Sequence, residues 1–148
     1  MHCEFPYFED RPHIPVTLEK NGKRARFIPL LDSGADYSVF SQADAMRLGL
    51  DWSDGREINF SNADGTFFTA KVFELVVDIE GFKFPARICF VADSPTSIPL
   101  LGRLDIFQHF SIMIDEVNKK VVVTSHEQEE RLEKLLQEAK YDRDFVDF

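Results

Sequence analysis

Cysteine is scarce in this chain, long apolar runs are missing, and basic residues are outnumbered. Cys3 and Cys89 are the only cysteines, too few for a disulfide framework. They share no metal-type spacing with each other or with the four histidines, and His13 and His109 read as satisfied or exposed side chains rather than ligands. Cys89 lies in an apolar run and reads as a small buried hydrophobe. No segment approaches the ~20 apolar residues that a membrane-spanning helix needs. The N-terminal MHCEFPYFED lacks the basic region and following apolar stretch of a signal peptide. With 17 Lys and Arg against 26 Asp and Glu, the net charge is −9, and phosphate binding needs clustered cations. The basic cluster KNGKRAR (residues 20–26) carries an Asn-Gly step and reads as a hairpin turn. A cytoplasmic protein with neither a nucleic-acid nor a membrane partner is expected.

What is present is enough for one domain with a real core: 148 residues, 44% apolar, with 15 phenylalanines. Strand signals dominate to about residue 124. IPVTLEK, the Asn21-Gly22 turn and RARFIPLL read as a hairpin. SQADAMRLGL then reads as a short helix, with Ser41 as N-cap and Gly49 at its end. REINF and TFFTAKVF flank SNADG, where Asp64-Gly65 is a hairpin signal. In FELVVDI, Phe73, Leu75, Val77 and Ile79 share one face, and in FKFPARICFV so do Phe82, Phe84, Ala86, Ile88 and Phe90. Pro85 places that second strand at an edge or bulge. IPLLG follows the polar turn ADSPTS, RLDIFQHF reads as one short helix, and SIMIDEV and VVVT close the domain as a hairpin.

From residue 125 the character changes. Ser125 and Gln128 fit a capping box, and Leu132, Leu135, Leu136 and Ala139 form a stripe at helical spacing. The expectation is an amphipathic C-terminal helix over part of 125–148, either docked on the domain or serving a partner. The division is therefore a domain at 1–124 and a helical tail at 125–148.

The chemistry gathers at FIPLLDSGADYSVF, residues 27–40. Asp-Ser-Gly is usually just a turn. Here, though, Asp32 ends an apolar strand, where partial desolvation would raise a carboxylate pKa. Ser33 offers a hydroxyl, and Gly34 lets another backbone come close. A second strand, IPLLG, echoes IPLLDSG, as though two equivalent strands met at one place.

These elements resemble the retropepsin family, the single-domain aspartic proteases of retroviruses, retroelements and cellular relatives. The resemblance rests on LLDSGAD (Leu30 to Asp36), the hairpin with an Asp-Gly tip, LVVDIEGFKFPARICFV with its polar loop, and IPLLGRLDIF (Ile98 to Phe107), in that order. The ending FSIMIDEVNKKVVV and the helix at 41–50 are more similar to cellular and bacterial-type members than to the compact viral enzymes. The resemblance implies a mostly β fold, a retropepsin-like closed β-barrel with short helices.

It further implies an aspartic endopeptidase without cofactor or metal that cuts peptide or protein substrates as a homodimer, since the chain holds a single Asp-Ser-Gly motif. Asp32 would be the catalytic residue of each subunit. Ser33, Gly34, Ala35, Asp36, Gly102 and Arg103 would support the active-site loop, with Ser33 tying the two loops together and Asp36 paired with Arg103. Ala63, Asp64, Gly65 and Thr66 would form the tip of a substrate-binding flap, although this tip lacks the glycine-rich sequence of viral flaps. The alternative is a retropepsin-fold dimerisation or peptide-binding module with weak or no turnover. Met1 and the acidic tail favour a free-standing protein over a unit of a larger retroelement product.

Overall fold

A computed structural model describes residues 1–61, 64–92 and 98–126, together with 134, 135 and 137. Eleven strands follow in order: β1 (His2–Pro6), β2 (Val16–Lys20), β3 (Lys23–Phe27), β4 (Leu30–Leu31), β5 (Ser38–Ser41), β6 (Arg56–Ser61), β7 (Phe67–Ile79), β8 (Phe82–Val91), β9 (Leu100–Leu101), β10 (Phe110–Asp115) and β11 (Lys120–Ser125). An α-helix, α1 (Gln42–Arg47), follows β5. The fold is mostly β, as expected. No helix among the described residues is long and apolar enough to cross a membrane.

The larger sheet runs β3-β2-β7-β8-β5-β9-β4, with β6 also paired to β7. It comes round on itself: Leu31 N–H donates to Pro12 O at 3.0 Å and Ile14 N–H to Pro29 O at 3.1 Å, joining β4 to the chain that leads into β2. The sheet curls into a half-barrel around a core centred on phenylalanine. Phe40 and Phe90 are fully buried, with ring centroids 5.9 Å apart, and Phe27 and Phe73 pack on them edge-on at 5.3 and 5.7 Å. The alternation in β7 and β8 does what it predicts: Phe73, Leu75, Val77, Ile79, Phe84, Ala86, Ile88 and Phe90 are all buried.

Local chemistry sets the connections. Asn21 (φ 52°) and Gly22 (φ 77°) both take the left-handed conformation, which a two-residue hairpin turn requires. Ser41 caps α1, its hydroxyl accepting from Asp44 N–H at 3.1 Å while the Asp44 carboxylate accepts from Ser41 N–H at 3.1 Å. Pro85 faces Val76 of β7, and the parallel pairing of β8 to β5 begins only at Ile88. At Pro85 the strand is therefore locally an edge.

The structure differs from the sequence reading in three places. TFFTAKVF and FELVVDI are one thirteen-residue strand, β7, because β6 pairs with its first half and β2 with its second on the same side. RLDIFQHF is not one helix but a turn followed by a 3-10 helix at Phe107–His109. Asp105 sits at φ 64°, a conformation that an α-helix cannot contain. β1 also joins β11 and β10 in a separate three-stranded sheet. Of the proposed tail helix, His126, Lys134, Leu135 and Gln137 are helical; Gln128, Leu132, Leu136 and Ala139 lie outside the described residues.

Candidate active site

The echo between the two apolar segments is a physical pairing. β4 and β9 run parallel and in register, Leu30 opposite Leu100 and Leu31 opposite Leu101. Asp32 N–H donates to Leu101 O at 3.0 Å, so the pair delivers Asp32 and Gly102 side by side. Beyond it the two loops are stitched together: Arg103 N–H donates to Ala35 O and Leu104 N–H to Asp36 O, both at 2.9 Å.

Gly102 is required by space. A Cβ there would lie 2.5 Å from Tyr37 O, 2.6 Å from Tyr37 C and 2.8 Å from Ala35 O, all backbone atoms. Its N–H donates to the Ser38 hydroxyl at 2.9 Å in a buried position. The Arg103 guanidinium, at Nη2, donates to Asp36 Oδ1. Both side chains are more than half exposed, so this pair orients the loop more than it stabilises the fold.

Asp32 itself is half-buried, while Ser33 and Gly34 are exposed. The Asp32 carboxylate accepts from Gly34 N–H at 2.9 Å, and Ala35 N–H donates to Asp32 O at 3.2 Å. The Asp-Ser-Gly turn thus fixes one oxygen of Asp32 by a local backbone bond. The second oxygen is the one available to a reacting molecule.

The β6–β7 ladder ends at the Ser61–Phe67 pair. Asp64 accepts from Thr66 N–H at 3.0 Å and from Thr66 Oγ1 at 2.7 Å, which holds its carboxyl below the usual range. Gly65 takes φ 84°. All three are exposed; Ala63 lies outside the described residues. His13 is buried, with Nδ1 3.0 Å from Ile28 O, and His109 packs 4.3 Å from the Phe84 ring. Among the described residues, no group of three His, Cys, Asp or Glu could hold a metal ion.

Three features near the site escaped the sequence reading. Ser38 is buried and is the partner of Gly102; its signal was the alternation that puts it on the face of Phe40. Arg87 gives N–H, Nε and Nη2 to the Asp105 carboxylate at 3.0, 2.7 and 3.1 Å, anchoring the segment after Arg103 to β8. A second apolar cluster also lies on the opposite face of β7 and β8 from the main core. In it Ala70, Cys89 and Val91 are buried, with Val39, Ile58, Phe68 and Val72 packed around them.

Residues 16–109 match the family model described as gag-polyprotein putative aspartyl protease. Among solved structures, the chain is similar to a retropepsin-like aspartic protease from Rickettsia conorii, at 22% identity and a TM-score of 0.60. That match covers 82% of this chain and 98% of the other, and the likeness is one of fold. It is also similar to EIAV protease in complex with the inhibitor HBY-793, at 26% identity and a TM-score of 0.48 over 68% of this chain and 88% of that one. No curated protein matches the chain.

Proposed function

Because this chain belongs to the retropepsin-like aspartic proteases, we propose that it is one half of an aspartic endopeptidase, completed by a second copy of itself. The observation that carries this reading is the in-register β4–β9 pairing that presents Asp32 beside Gly102. One chain supplies one Asp-Ser-Gly motif. A two-fold axis beside the exposed Ser33 and Gly34 brings two Asp32 carboxyls to one water.

Carboxyls that close cannot both ionise, so the pair holds one proton; aspartic-protease dyads in general behave this way. The ionised Asp32 takes a proton from the water as its oxygen bonds to the scissile carbonyl carbon. The protonated Asp32 gives its proton to the carbonyl oxygen. Collapse of the tetrahedral diol then breaks the C–N bond: the leaving nitrogen takes the proton held by one Asp32 while a diol hydroxyl gives its proton to the other, leaving a carboxylic acid, an amine and the singly protonated dyad. Activity should peak on the acid side of neutral, where the single shared proton is kept.

Under this reading Ser33, Gly34, Ala35, Asp36, Gly102 and Arg103 hold the loop, and Asp64, Gly65 and Thr66 cover an extended peptide. Ala63 completes that cover in sequence. A cytoplasmic setting, with Cys3 and Cys89 as free thiols, goes with it. Asp32→Asn should abolish cleavage of an unstructured protein at mildly acid pH, and undiminished turnover would end the proposal. A monomer without acid activity would instead favour a peptide-binding module on the same fold.

A further inference from the structure

Five residues beyond Asp32, Tyr37 walls a cavity of about 200 Å³ on the side of the β6–β7 hairpin. Its floor is apolar, made by Ile58, Val72 and Cys89. Cys89 is 1% exposed, and burial pushes its thiol up to about 11, so it stays a neutral thiol. Its rim is cationic: Arg56, at the start of β6, and Arg87, on β8, both line it. Arg87 is oriented and largely neutralised by Asp105. Arg56 is exposed and makes no ion pair among the described residues.

Two guanidiniums over an apolar floor are unusual on a chain of net charge −9. At long range that charge repels acidic ligands, so any attraction here must be short-range and specific. A side chain with methylenes and a carboxylate end fits both parts, the methylenes on Ile58 and Val72 and the carboxylate on Arg56. The walls are the loop that carries Asp32 and the hairpin that would cover a peptide, so the occupant belongs to the peptide lying between them.

Resting on the protease reading, we propose that this cavity receives an acidic side chain of the peptide substrate, glutamate above all, at a position flanking the cut bond. Arg56 is then the residue that determines specificity there, with Arg87 held in place by Asp105.

The test uses unstructured peptides that differ only by Glu or Lys at each position in turn around an apolar pair. Cleavage by the wild-type protein and binding to the Asp32→Asn protein are both measured. At one position Glu should be favoured over Lys by roughly three- to tenfold in both assays, the range of a partly exposed ion pair. Arg56→Lys should keep the preference, Arg56→Gln should flatten it, and Arg56→Glu should invert it. A ratio near one at every position, or a preference that Arg56→Gln and Arg56→Glu leave unmoved, overturns the proposal. Cleavage without charge preference defeats the pocket and leaves the protease standing. Charge-dependent binding that Arg56→Glu inverts, with no cleavage by the wild type, keeps the pocket and defeats the protease.

Discussion

The backbone N–H of Gly102 donates to the hydroxyl of Ser38 at 2.9 Å, with Ser38 completely buried. This bond joins the strand that leaves the Asp32 loop to the strand that echoes it. Ser38→Ala should strand a buried N–H and cost about 1–3 kcal/mol, read by chemical denaturation. An unchanged denaturation midpoint would show that the two loops do not depend on this bond.

Gly102→Ala should do more harm, because its Cβ would fall 2.5–2.8 Å from the backbone of Ala35 and Tyr37. Backbone cannot swing aside as a side chain can, so the two loops must part, at a cost of about 2–4 kcal/mol. Gly81→Ala is the control. Gly81 faces a conformational demand (φ 87°) instead of a steric one, with nothing within 4 Å, so about 1–2 kcal/mol is expected.

Stability should fall in acid partly through Asp105. The hydrogen bond from the Arg87 side chain, more than anything else, holds the Asp105 carboxyl below its ordinary range. A carboxyl whose folded pKa is depressed stabilises the protein above its ordinary value of about 3.9, and that contribution is lost as pH falls through the folded pKa. Asp105→Asn should lower the melting temperature near neutrality, by the equivalent of about 1 kcal/mol given that Arg87 is half exposed. It should also flatten the acid slope of melting temperature below about pH 4. Parallel wild-type and variant curves down to the acid limit would contradict the role given to this pair.

The core prediction is the plainest. Phe90 is fully buried and packs on Phe40 and Phe73. Phe90→Ala should cost about 3–5 kcal/mol in denaturant unfolding; a loss below about 1 kcal/mol would mean that the barrel is not packed around these rings.

Much of this was legible because the signals are local. Asn21-Gly22 specifies its own turn, Ser41 and Asp44 cap a helix within four residues, and period-two alternation places Phe73 to Ile79 in the core. The repeated IPLL announced β4 and β9 because equal strands in equal settings carry equal sequences. The failures are non-local. β1 has its partner near residue 122, 118 positions away at Glu4, and a five-residue strand ending in Pro6 carries too little pattern alone. RLDIFQHF has helical composition, yet the bond from Arg87, 18 residues earlier, goes with Asp105 in a left-handed conformation. At the site, the motif pointed to Asp32, Gly102 and their loop. Ser38, Tyr37 and Arg56 are brought to this region by neighbours that only the fold supplies.

The central claim is that two copies of Asp32 make one site, and mixing tests it most directly. Wild-type protein is combined with an equal amount of Asp32→Asn protein, subunits are allowed to exchange, and cleavage of an unstructured peptide is followed at mildly acid pH. Random pairing leaves about a quarter of the dimers with both carboxyls, so the rate per wild-type chain should fall to roughly half, and further as the variant is added in excess. A rate per wild-type chain that stays constant at every mixing ratio would contradict the shared site.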